Sequence, residues 1–156
     1  MYKLLLVSVF GNVEADTNER VNSLYDLLLF NVKIVTTDFS HRDKKYKIKE
    51  GYRNADYIHV TSYKNNLSLS RLVSHCSFAI KLFFYLLFKG KNYDIIYCIS
   101  PTPSSAFVCA LYKILARGKV LVIDIIDIWP ESLIPVTSYL KILFPLYYLW
   151  KSLSIV

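Results

Sequence analysis

Hydrophobic positions along this chain fall into two patterns. Continuous apolar runs at KLLLVSV (3–9) and YDIIYCIS (93–100) have the pattern of strands buried on both faces. VKIVTTDF (32–39) and YIHVTSY (57–63) read as short strands, the first β-branched, and the hydrophobic run KVLVIDIID (119–127) as the last strand. Between them the spacing becomes helical. After a cap at Asp16–Thr17, Val21, Leu24, Tyr25, Leu28 and Leu29 recur on one face. NLSLSRLVSHCSFAIKLFFYLLFKGK (66–91) predicts a long helix capped near Asn66 and stopped at Gly90. SAFVCALYKILAR (105–117) predicts a helix closed by Gly118, and the residues after Pro135 read as helical.

Strands alternating with helices imply right-handed crossovers and a mainly parallel sheet with helices on both faces, an α/β, Rossmann-like, doubly wound arrangement. The 156 residues suffice for one such domain, 1–156, and show no repeat, linker or low-complexity segment. The N-terminal apolar run is too short for a signal peptide and no small-residue cleavage site follows it. CSFAIKLFFYLLF (76–88) falls short of the roughly 20 residues a span requires. Two prolines and Lys141 break the apolar stretch after residue 132. No transmembrane helix is expected; lying on a membrane is compatible with the pattern.

Charge sharpens this picture in one place. The formal net charge is +7, spread along the chain. HRDKKYKIKEGYR (41–53) concentrates six Lys/Arg against Asp43 and Glu50, a solvated loop or an anion patch built on Lys44, Lys45 and Lys47. A membrane surface or a phosphate suits it. Nucleic acid is not an expected partner, because no basic helix or aromatic-basic RNA motif accompanies the run. Cys76, Cys98 and Cys109 sit in apolar segments and read as small core residues in a reducing compartment. Neither they nor His41, His59 and His75 have metal-ligand spacing, and no metal or other cofactor is expected.

In an open parallel sheet, ligands bind beyond the carboxyl ends of the strands. Three such ends carry candidate residues. The first offers Gly11 and Asn12, a plain turn or a close approach for a phosphate-bearing ligand; a lone glycine is no dinucleotide fingerprint. The second is SPTPSS, with Ser100 at the strand end and Ser104 and Ser105 as caps for the next helix. The third is DIIDIWPES (124–132), where Asp127, Trp129 and Glu131 stand at the end of a buried run. A carboxylate there needs a partner or a function, since burial alone is costly. Glu131 as a helix cap and Asp127 as a loop anchor is the structural alternative, and Asp124 within the strand reads as facing a cation. Arg71 and His75, one turn apart, form a further candidate pair for substrate binding, the bland reading of His75 being a surface or capped histidine.

The segment from Tyr93 to Ser132, with its D-hydrophobic-hydrophobic…S-P strand and its D-I-W-P-E-S element, resembles the N-terminal half of bacterial family 4 glycosyltransferases of the capsule and O-antigen type. TTDFSHRDKKY (36–46) and YKNNLSLSRLVSHCSFAIKL (63–82) are similar to the same group. The resemblance implies one half of a GT-B fold, the half that handles the acceptor, here a lipid-linked saccharide at the cytoplasmic face of the bacterial membrane. It implies Asp127 and Glu131 as catalytic carboxylates and Gly11, Asn12, Ser100, Trp129, His75 and Arg71 as substrate-binding residues. The nucleotide-sugar donor belongs to a second domain with an E-x7-E pair. Glu14, Glu19, Glu50 and Glu131 form no such pair, so the chain is expected to need a donor half, in trans or following it. Where many relatives have a histidine before the motif's Asp, this chain has Ile126. Two other readings stay open: a non-catalytic remnant or membrane-peripheral scaffold, and an independent nucleotide-binding enzyme of flavodoxin-like size, against which the first loop's lack of phosphate-cradling residues counts.

Overall fold

The computed structural model describes residues 2–9, 31–46, 54–66, 68–100 and 102–126. Five parallel strands form the main sheet: β1 (Lys3–Ser8), β2 (Asn31–Thr37), β5 (Ala55–Ile58), β6 (Ile95–Ser100) and β7 (Val120–Ile125), in the order β5-β2-β1-β6-β7. Numbered as parallel strands along the chain this is 3-2-1-4-5, the order of the first five strands of a Rossmann sheet. A small antiparallel pair, β3 (Phe39–Ser40) with β4 (Lys45–Tyr46), forms a hairpin after β2. Two long helices are described, α1 (Leu69–Lys89) and α2 (Pro103–Leu115).

The apolar runs of β1, β2 and β6 become strands because both of their faces are largely buried, whereas the residues of β7 are half-buried or exposed. Leu5, Val7 and Val35 point to one side and pack with Phe78, Leu82 and Leu86 of α1 and Val108, Cys109 and Tyr112 of α2. Leu4, Leu6, Val32, Ile34 and Ile99 form a second cluster on the opposite side. Both described helices therefore cover one face. The helices expected from 18–30 and after Pro135 lie outside the described residues. Cys98 and Cys109 are buried core residues, as expected, and all three thiols are free.

Several boundaries differ from the sequence expectation. The third parallel strand is Ala55–Ile58 rather than 57–63, because its register with β2 runs from Ile34↔Ala55 to Thr37↔Ile58. Beyond it, His59 turns away to meet Asp38. The cap of α1 is Ser68, whose side chain accepts from the Arg71 amide; Asn66 instead takes the Lys44 ammonium on its side chain. The stop at Gly90 holds. At 21 residues α1 is longer than the apolar run alone, and by length and composition it is enough to cross a membrane. Phe78, Leu82 and Leu86 are fully buried against the sheet, while only 33% of its apolar stretch is buried.

Candidate functional site

The strand order reverses at β1, so the chain leaves β1 towards β2 and leaves β6 towards β7 on opposite sides of one line. Such a reversal opens a crevice at the carboxyl ends, because the connections there diverge. Ser8 and Ile99 are register partners, as are Ser100 and Ile125, so the ends of β1, β6 and β7 lie side by side. Ser100 is thus at the crevice. Gly11 and Asn12 follow β1, and Asp127, Trp129 and Glu131 follow β7; all five lie outside the described residues, as does Lys47.

The turn after β6 is closed by its own hydroxyls. Ser100 is buried and its Oγ donates to the Thr102 carbonyl at 2.7 Å, and the Ser105 Oγ donates to the same carbonyl at 3.0 Å. Thr102 is the N-cap residue of α2 and Pro103 opens the helix, which suits proline because the first helical amide has no partner to lose. Ser104 is therefore not the cap; it stands in the first turn with a buried Oγ that has no hydrogen-bond partner. Thr36 Oγ1, near the end of β2, is buried and unpartnered too. A buried hydroxyl without a partner costs about 1–3 kcal/mol, and both of those found among the described residues are at the carboxyl end of the sheet. The TT pair ending the second apolar run was the one sequence signal for Thr36.

Asp124 accepts from the Tyr97 hydroxyl at 3.3 Å. At the end of β2, Asp38 accepts from His59 Nδ1 at 2.6 Å and from the Val60 amide at 3.2 Å, which fixes the path of the chain after β5.

Next to this the hairpin, the loop after β5 and the start of α1 converge. Lys44, in the hairpin turn, adopts φ 56°, a left-handed conformation unusual for a side chain of its size. Its ammonium lies 4.7 Å above the Tyr63 ring and donates to Asn66 Oδ1. Tyr63 hydrogen-bonds His41 and lies 6.1 Å, ring to ring, from His75. Arg71 donates through Nε to His75 Nε2 at 3.1 Å and through a terminal nitrogen to the Asn66 carbonyl at 3.0 Å. Burial, then the charges of Arg71 and His41, holds His75 down to about 3. Burial, then Lys44 and Arg71, holds His41 down to about 4. Burial and Arg71 lower Lys44 as well.

Arg71, His75 and Lys44 are thus brought together, whereas Lys45 is exposed on β4. His75 is buried and held by Arg71, not a surface residue. The cavity that His41, Tyr63, Ser74 and His75 line holds about 10 Å³, roughly one water. It is too small for a sugar. The pairing of His41 with Tyr63 escaped the sequence reading because 22 residues separate them.

A larger groove of about 210 Å³ lies at the opposite, amino end of the sheet, lined by Lys3, Asn31, Lys33, Asn54, Asn92 and Tyr93. Size alone favours it. Topology favours the carboxyl end, where the strand order reverses and where the unpartnered hydroxyls sit. Among the described residues no group of three or more His, Cys, Asp or Glu side chains is arranged to hold a metal. Compared with protein-family models, curated proteins and solved structures, the chain finds no match in any of the three.

Proposed function

We propose that this chain is the acceptor-binding half of a retaining GT-B glycosyltransferase, acting on a lipid-linked saccharide in surface-polysaccharide synthesis. The supporting observation is the reversal at β1, which sets the ends of β1, β6 and β7 side by side. Those are the strand ends whose following segments carry Gly11–Asn12, Ser100 and DIWPES. On this reading Asp127 and Glu131 face the reacting sugar, where a carboxylate stabilises the positive charge developing on an oxocarbenium-like centre. Trp129 stacks on a sugar ring, and Gly11 and Asn12 lie near the donor phosphates. Arg71, held by His75, and Lys44 supply positive charge for the acceptor's phosphates at the neighbouring strand end.

The donor half is a separate body in this account, so the chain by itself binds acceptor and not nucleotide-sugar. Isothermal titration calorimetry with a short-chain prenyl-diphosphate-linked monosaccharide and with a panel of nucleotide-sugars tests this. Saturable binding of the first, weakened at least about tenfold by Asp127→Ala with Glu131→Ala, supports the proposal; that factor is the loss of a charged hydrogen bond. Binding of a nucleotide-sugar alone, with none of the acceptor, would instead favour the independent nucleotide-binding enzyme.

A further inference from the structure

Helix α1 is apolar on two sides. Its inner side, with Phe78, Leu82 and Leu86, is sealed against the sheet. Its outer side carries Leu69, Val73, Ile80, Phe84, Leu87 and Phe88, exposed by 42–76%. At 100° per residue these six positions fall in one sector opposite the buried side, along the full 21-residue length. A contiguous apolar stripe of this kind is a contact surface rather than scattered exposure.

Charge decides what fits it. From Leu69 to Asn92 there is not one carboxylate; Lys89 is paired with Asp56 and Arg71 is held by His75, which leaves the exposed Lys81 and Lys91 as the cations beside the stripe. The chain as a whole carries +7. A second copy would bring the same basic flanks against these, whereas an anionic bilayer offers hydrocarbon for the stripe and headgroup charge for the lysines. Spanning would take Phe78, Leu82 and Leu86 out of the core. We infer that the outer face of α1 docks on an anionic membrane surface, the helix lying in the interface with Phe84 and Phe88 inserted and the exposed Lys81 and Lys91 at headgroup level. This is a docking surface separate from the basic hairpin. It goes beyond the transferase reading and stands without it, because it requires neither a sugar nor a donor half.

The test is co-sedimentation of the full chain with phosphatidylcholine vesicles containing 30% phosphatidylglycerol (a roughly physiological anionic fraction) and with pure phosphatidylcholine. The chain should bind the anionic vesicles, more weakly at high salt and weakly or not at all to the neutral ones. Phe84→Ser with Phe88→Ser should weaken binding roughly tenfold or more, given the apolar area removed. Its thermal midpoint should stay near that of the parent, since both rings are exposed. Lys44→Glu with Lys45→Glu should bind nearly as well as the parent. The inference is overturned if the hairpin variant loses binding and the phenylalanine variant keeps it, or if neutral vesicles bind equally well. A lipid-free dimer in sedimentation velocity that the phenylalanine variant dissolves would overturn it too, by showing that the stripe is covered by a second copy.

Discussion

Arg71 donates its Nε proton to Nε2 of His75, one helical turn further along α1, at 3.1 Å. A guanidinium only donates, so His75 has to accept there and stay neutral, with its proton on Nδ1. Unfolded, His75 and His41 take up protons as pH falls through 6.5; folded, they resist until about 3 and about 4. Protons therefore favour the unfolded chain within that window. These rings leave stability unchanged above pH 6.5 and lower it as pH drops below. His75→Gln keeps an acceptor for Arg71 and cannot titrate. In urea unfolding it should resemble the parent at pH 7.5 and lose less stability than the parent on going to pH 4.5. Equal losses would contradict the assigned role.

Asp56 joins three elements, meeting Lys33 of β2 at 2.8 Å, Lys89 of α1 at 3.0 Å and the Tyr85 hydroxyl at 2.8 Å. Burial raises its pKa, but the hydrogen bonds from Lys33, Lys89 and Tyr85 outweigh that and bring it to about 2. Its contribution is present above pH 3.8 and lost as pH falls from there towards 2, a window lower than that of the histidines. Asp56→Asn should cost about 1–2 kcal/mol at pH 7, read by urea unfolding. The difference from the parent should shrink below pH 3.

Gly90 ends α1 directly against Tyr112 of α2. A Cβ there would meet the Tyr112 ring and hydroxyl at 2.6 Å, and Tyr112 is itself core. Its φ of −60° is open to any residue, so space alone requires glycine. Gly90→Ala should destabilise by about 1–3 kcal/mol, whereas alanine at an exposed site in mid-helix, such as Ile80→Ala, should not. Differential scanning calorimetry of the two variants separates them.

Strands β1 and β6 were legible because burial on both faces leaves a continuous apolar run in the sequence, β2 from its β-branched residues, and β7 from its apolar run although none of its residues is fully buried. Helix α2 was legible from its spacing, and α1 from its length and Gly90. What stayed hidden depends on contacts across the chain. The β3–β4 hairpin lies in the most charged stretch, and it forms because Phe39 pairs with Tyr46 and Lys44 accepts a left-handed turn. Phe39 then packs its ring 5.0 Å from that of Tyr63, joining hairpin to loop. The His41–Tyr63–His75 cluster is assembled from hairpin, loop and helix, so no local spacing announces it. The exposed side of α1 was masked by its own hydropathy, since an apolar run does not say which of its residues face solvent. At the candidate site Ser100 was legible as a strand end. Asp127 and Glu131 lie outside the described residues, and their roles rest on the motif.

The central claim is that the ligand sits at the carboxyl ends of β1, β6 and β7, and hydrogen–deuterium exchange of the full chain with and without a short-chain prenyl-diphosphate-linked monosaccharide tests it most directly. The account predicts slowed exchange in peptides covering residues 8–12, 100–105 and 125–132. Protection confined to the amino-end groove of Lys3, Asn31, Lys33 and Asn54, or absent under conditions where the compound binds, would contradict it.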